Sequence, residues 1–200
     1  MKAIMAALVL ILGGLSGLAV KAQDSTYPDV DIAPVFDDDG ALVLPKGFRF
    51  WVFLGSPITP NGLNDGAAGF PEFHNVYVQR GAFDHYRKTG EWPEGTTLVK
   101  ELQLVKGGGK FKDGSRIEPS GRGYFPAAAN GVDLAVKDSK RFASTKNWGY
   151  FTSGHHAPPY AASMQRMPTE ACAQCHIDNA GDDMVYDEFY KAILTPLPTQ

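Results

Sequence analysis

Cysteine is scarce in this chain: there are two in 200 residues, three positions apart at Cys172 and Cys175. A disulfide between them would close too small a loop to constrain the unfolded chain, which excludes chain stapling as their purpose. Without a second cysteine pair, a zinc site at sensible spacing lacks its remaining ligands. Positive charge is also in short supply, since the formal net charge is -3. It falls to about -5 once Lys2 and Lys21 leave with an N-terminal leader, and basic or His-rich tracts are absent, so there is no basis for nucleic-acid binding. No apolar run after the first twenty or so residues approaches the roughly 20 needed to span a bilayer, so the mature chain is expected to be soluble, without a membrane partner.

The one long apolar stretch belongs to residues 1–22. Lys2 precedes an apolar run from Ala3 to Leu12, and small residues end in Val20-Lys21-Ala22, the pattern of a signal peptide cleaved before Gln23. An uncleaved anchor is the alternative, but the core is short and interrupted by glycine. The chain is therefore expected in the periplasm. Residues 23–46 are polar, acidic and punctuated by proline, with a turn at Asp37-Asp38-Asp39-Gly40, and read as an extended, solvated arm. Residues 47–200 then form a single domain.

Within that domain, Phe48 to Leu54, Glu72 to Gln79 and Thr96 to Val105 carry the aromatic and β-branched chemistry of strands. Further strand-like segments surround Ile117, Tyr124 and Val132 to Val136, and Trp148 to Thr152 reads as the last. Ala82 to Thr89 reads as a short helix ended by Gly90, and Asp182 to Leu194 as an amphipathic helix before Pro196. The fold class is α+β: mainly antiparallel β-sheet with a few helices.

Cys172-Ala173-Gln174-Cys175-His176 has the C-x-x-C-H pattern of c-type haem attachment. Two thiols add across the vinyl groups, and the adjacent imidazole binds the iron from one face of the macrocycle. A redox dithiol would stand in a βαβ pattern, which is missing. Only 24 residues follow His176. They are too few to wrap a haem, so upstream residues must build the pocket. This argues against class I cytochromes, and the upstream glycine, proline and strand formers argue against a four-helix bundle.

The candidates for a sixth iron ligand are Met164, Met167, Met184, His155 and His156. Met164 and Met167 lie too close before Cys172 to reach the opposite haem face without a sharp loop. His155 and His156 read as an exposed pair in a polar loop, and His74 and His85 as satisfied structural histidines. An open distal site is the favoured state, suited to a small nitrogenous substrate or a gas.

Several segments resemble the cytochrome P-460 family. They are Pro60-Asn61-Gly62-Leu63, Phe73-His74-Asn75-Val76-Tyr77-Val78, Thr89-Gly90, Gly95 to Glu101, Val136-Lys137-Asp138 with Arg141-Phe142, and Trp148-Gly149-Tyr150-Phe151, all ahead of the late C-x-x-C-H. The resemblance implies a mainly β fold, a homodimer and one haem c per chain. It also implies a choice between hydroxylamine-oxidising enzymes with a lysine bonded to the haem and cytochrome c′-beta gas binders without that bond. Simple electron carriage is a third possibility, but it needs a strong sixth ligand.

Lys100 is the lysine for that bond. Strand alternation places Leu98, Lys100 and Leu102 on one face, where an ammonium is costly unless paired or modified. The alternative is a solvated Lys100 paired with Glu101 or Glu94, while Lys106 and Lys110 read as ordinary surface lysines. Glu170, Glu101 and Asp138 are candidate proton acceptors, Glu170 being the favoured one. The loop Pro158 to Ser163, with Ala161 and Ala162, is expected to cover the distal face. Phe50, Phe53 and Phe73 are candidate walls for a gas pocket. Electrons would pass to a soluble acceptor such as a small cytochrome c.

Overall fold

The computed structural model describes residues 33–181 and 183–195. The leader expected over 1–22, the arm's first residues to 32, Asp182 and the stop at Pro196 lie outside them. Nine strands and three α-helices follow in order: β1 (Leu42–Val43), β2 (Val52–Gly55), β3 (Phe73–Val78), α1 (Arg80–Thr89), β4 (Thr97–Val105), β5 (Arg116–Glu118), β6 (Gly121–Gly123), β7 (Pro126–Lys137), β8 (Trp148–Thr152), β9 (Ser163–Met164), α2 (Gln174–Asn179) and α3 (Lys191–Leu194). No described helix is long and apolar enough to cross a membrane.

The centre is a five-stranded antiparallel sheet in the order β2-β3-β4-β7-β8. A buried sheet needs apolar side chains on both surfaces, and β4 supplies them in alternation. Val99 packs on one face with Val132, Leu134, Val136 and Phe151. Leu98 packs on the other with Val76, Val78, Trp148 and Tyr150. The segment that carries C-x-x-C-H covers the second face, with Ala173, Met184 and Tyr190 built into that cluster. Helix α1 ends as expected, with Gly90 left-handed at φ 79 and its N–H donating to the Tyr86 carbonyl.

Four expectations need correcting. Phe48 to Phe50 form a 3-10 turn, so the first strand of the sheet begins only at Val52. Residues 33–46 are not a solvated arm: the Asp37–Gly40 turn forms, with Asp37 accepting from the Ala41 N–H, but the chain then buries Leu42 completely in β1. That strand pairs with β9, so Trp148–Thr152 is not the last strand. The single helix over 182–194 is instead a bend, a 3-10 turn at Asp187–Tyr190 and the short α3. The cause is Met184, which takes φ 61, a conformation incompatible with a helix. The chain buries Met184, Val185, Tyr190 and Leu194 and leaves Phe189 and Ile193 exposed.

Candidate functional site

Cys172 lies in a π-helical turn at Thr169–Ala173, and Cys175 and His176 lie in the first turn of α2. The two thiols, three residues apart on a helical path, look to the same side, with the imidazole one residue on. Both thiols are free, Cys172 half-buried and Cys175 exposed beside the Tyr186 hydroxyl at 3.4 Å. Burial raises the Cys172 thiol above its ordinary pKa; the Asp133 charge adds to that shift and the Lys100 charge opposes it.

His176 is held by the backbone bend that the sequence did not reveal. Its Nδ1 lies 2.8 Å from the Met184 carbonyl, and because a carbonyl only accepts, Nδ1 carries the proton. The Tyr150 hydroxyl donates to the same carbonyl at 3.1 Å. Burial lowers the imidazole's pKa, the Met184 bond partly opposing, so the neutral ring with a free lone pair on Nε2 is favoured. That is the state a metal-ligating histidine needs, with its other nitrogen fixed by a carbonyl. Tyr150 and Tyr186 flank the ring, with centroids 4.4 and 4.9 Å away.

Asp183 ties this bend to the sheet. Its carboxylate accepts from Lys137 Nζ at 2.8 Å, Trp148 Nε1 at 3.1 Å and the Trp92 N–H at 3.0 Å. Replacing it with alanine leaves the largely buried Lys137 ammonium with only the Trp92 carbonyl, and leaves the Trp148 Nε1–H and Trp92 N–H without this acceptor. We expect a loss of about 2 kcal/mol, below the usual cost of breaking a buried pair because Asp183 is partly exposed. For a domain of this size that is a fall of roughly 4–8 °C in Tm by calorimetry.

Lys100 lies on the face of the sheet that carries this segment, between Val76 of β3 and Asp133 of β7 in register. Leu98 and Leu102 share the face and are buried, as alternation predicts. Lys100 Nζ is 2.9 Å from the Asp133 carboxylate and 4.2 Å from the centre of the Phe70 ring. Its charge depresses the pKa of His176 and opposes the upward shift at Cys172, so the lysine and the C-x-x-C-H segment share one electrostatic site. Neither Glu101 nor Glu94 is its partner.

Most other candidates fall elsewhere, Glu170 excepted, since it stands two residues before Cys172 in the same helical segment. Glu101 points to the opposite face, buried and ion-paired with Arg49. Asp138 accepts the backbone N–H groups of Lys140 and Arg141 and so fixes a turn. Glu170 is exposed in the first turn of the π-helical segment. Lys106 pairs with Glu118 at the surface. Phe53 packs with Tyr77 on the face away from Lys100, Phe73 alternates onto that same face, and Phe50 is 68% exposed, so none of them walls the Lys100 side. Instead Phe70, from the preceding loop, covers the lysine.

The sixth-ligand candidates sort the same way. Met164 is buried in the far cluster, and Met184 stands on the His176 side, where its carbonyl holds that ring. Both His156 ring nitrogens contact carbonyls of its own loop, of Ala157 and Ser153. His155 is exposed as expected but reaches Glu72. The end of the 158–163 loop does not cover the Lys100 side, since the Ala162 carbonyl accepts the Leu44 N–H and the chain runs on into β9. Two histidine readings fail: His85 is exposed, and His74 has a buried Nε2 with no hydrogen-bond partner among the described residues.

The Cytochrome P460 family model matches residues 45–187, which takes in both Lys100 and the whole C-x-x-C-H segment. The chain belongs to the cytochrome P460 family. No curated protein matches it. Membership implies haem binding, and the residues present fit the group. Two unpaired thiols at helical spacing and a neutral imidazole fixed through Nδ1 are donors of the kind that could hold a haem, and a half-buried lysine stands on the same face of the sheet. Sequence reasoning missed Asp133, Phe70, Glu72 and the Met184 carbonyl. Of these, Asp133 left a signal, as the one charged residue inside the apolar stretch Val132 to Val136.

Proposed function

We propose that this P460-family cytochrome carries one haem c on Cys172 and Cys175 with His176 as iron ligand, bonds that haem to Lys100, and oxidises hydroxylamine to nitrogen oxides. The observation that carries the reading is Lys100, set on the C-x-x-C-H face by its Asp133 contact at 2.9 Å, with its charge felt at both Cys172 and His176. The N-terminal leader supports export to the periplasm, where a soluble one-electron carrier such as a small cytochrome c would take the electrons. The family resemblance adds a homodimer.

Bound haem supplies an iron centre that takes a small nitrogenous ligand and accepts electrons singly. The chain's own residues do the rest. The Met184 carbonyl and Tyr150 hold His176 in one tautomer and orientation, which keeps the ligand basic. Asp133 draws the Lys100 ammonium to one position through their ion pair, so that the amine is delivered to the site rather than to solvent. Phe70 shields the pair, and Met164, Met184 and His156, each held elsewhere, would not compete with a small ligand for a bound iron.

The test is a steady-state assay of the purified, haem-loaded protein with hydroxylamine and excess ferricyanide. Saturable, hydroxylamine-dependent ferricyanide reduction is expected. A stable spectral adduct with nitric oxide or carbon monoxide and no acceptor reduction would support binding without turnover instead.

A further inference from the structure

Glu72, just before β3, is 3% exposed, unusually deep for a carboxylate. One oxygen accepts from Asn130 Nδ2 at 2.9 Å and stands 3.3 Å from His155 Nδ1; the other is buried without a partner among the described residues. Two residues on, and on the same face, His74 Nε2 is buried without a partner, as is one oxygen of Asp133 beside Lys100. A burial arranged for stability would satisfy these atoms, because each unmade bond costs about 1–3 kcal/mol. Phe70 packs across the cluster, with Lys100 Nζ over its ring, His74 at 5.8 Å and His155 at 5.6 Å between centroids. His155 itself is 39% exposed and opens to solvent. The polar groups thus run from the Lys100 site to the surface.

Resting on the hydroxylamine reading above, we propose that Glu72 takes up the protons released at the haem site and hands them through His155 to solvent. With nitric oxide as product, each hydroxylamine gives up three electrons and three protons. The electrons go one at a time to the one-electron acceptor. Each proton goes to the Glu72 carboxylate, then to His155 Nδ1, and an equivalent proton leaves from Nε2 to water. Glu72 meets Asn130 of β7 and His155 of the loop after β8, and His74 of β3 links it to the rest of the cluster, since its ring feels the charges of Lys100 from β4, Glu72 and Asp133 from β7. Glu72 and His155 act through proton movement and do not touch the iron ligands.

The variants are Glu72→Gln and His155→Gln, with Glu72→Asp as the conservative control, each haem-loaded. We expect kcat for hydroxylamine to fall about tenfold or more in both glutamine variants with KM little changed, the acid limb of the kcat profile to disappear in Glu72→Gln, and Glu72→Asp to recover most of the rate. A second readout needs no turnover: the midpoint potential should vary with pH in the wild type and less so in Glu72→Gln, with a carboxyl band in the redox infrared difference spectrum lost in that variant. Unchanged kcat and pH profile in a wild type that turns over would overturn the relay and leave the hydroxylamine reading intact. A wild type without turnover would sink the hydroxylamine reading. The potential and infrared band would then decide the relay alone, their absence overturning it. Should Glu72→Gln fail to hold haem, surface-exposed His155→Gln carries the test, and a wild-type rate there would overturn the proposal.

Discussion

Lys100→Arg is expected to lose hydroxylamine turnover by roughly 10–100-fold or more, the scale set by residues that tune a metal centre, while haem stays on both thiols. Arginine preserves everything electrostatic about the position. It can still pair with Asp133 and lie over Phe70, and it remains charged. What it cannot do is present a neutral amine to form a bond, because its guanidinium does not lose its proton in proteins. The substitution therefore separates a lysine that acts as a charge from one that acts as a nucleophile. An absorption spectrum reverting to that of an ordinary c-type haem should accompany the loss. If turnover and spectrum survive, Lys100 serves only as the partner of Asp133.

Replacing both Cys172 and Cys175 with serine is expected to remove both thioether bonds and leave the proposed Lys100 bond as the sole covalent link, read as a large fall in the fraction of intact protein that carries the haem mass and in its visible absorption. The chain holds no other cysteine to substitute for them. Single replacements should differ. Cys172 is half-buried against the apolar cluster and senses Asp133 and Lys100, whereas Cys175 is exposed. Cys172→Ser should thus disturb the Lys100 end of the site more, and Cys175→Ser should leave more turnover.

The C-x-x-C-H motif was legible because it is local: five consecutive residues carry both thiols and the imidazole. The face of Lys100 was legible for a similar reason, since the period of two along Leu98, Lys100 and Leu102 needs no knowledge of neighbouring strands. What the lysine meets was not. Asp133 comes from β7, and only the β4–β7 register sets the pair opposite each other. That register is non-local and carries irregularities between Glu101 and Val105. Glu101 itself went astray because its burial depends on Arg49, 52 residues away. The C-terminal helix failed for a different reason. Its apolar spacing is real, but holding His176 requires Met184 to turn its carbonyl inward from a left-handed backbone, and that tertiary demand overrides the helical pattern. Phe50 and Phe53 misled because a 3-10 turn and a bulge between Phe53 and Gly55 reset the alternation.

A peptide map of the haem-loaded protein, read by mass, tests the central claim most directly. One haem-containing fragment joining the Cys172–His176 peptide to the peptide that bears Lys100 is the result expected. Recovery of the Lys100 peptide unmodified, with haem on the cysteines alone, would contradict it.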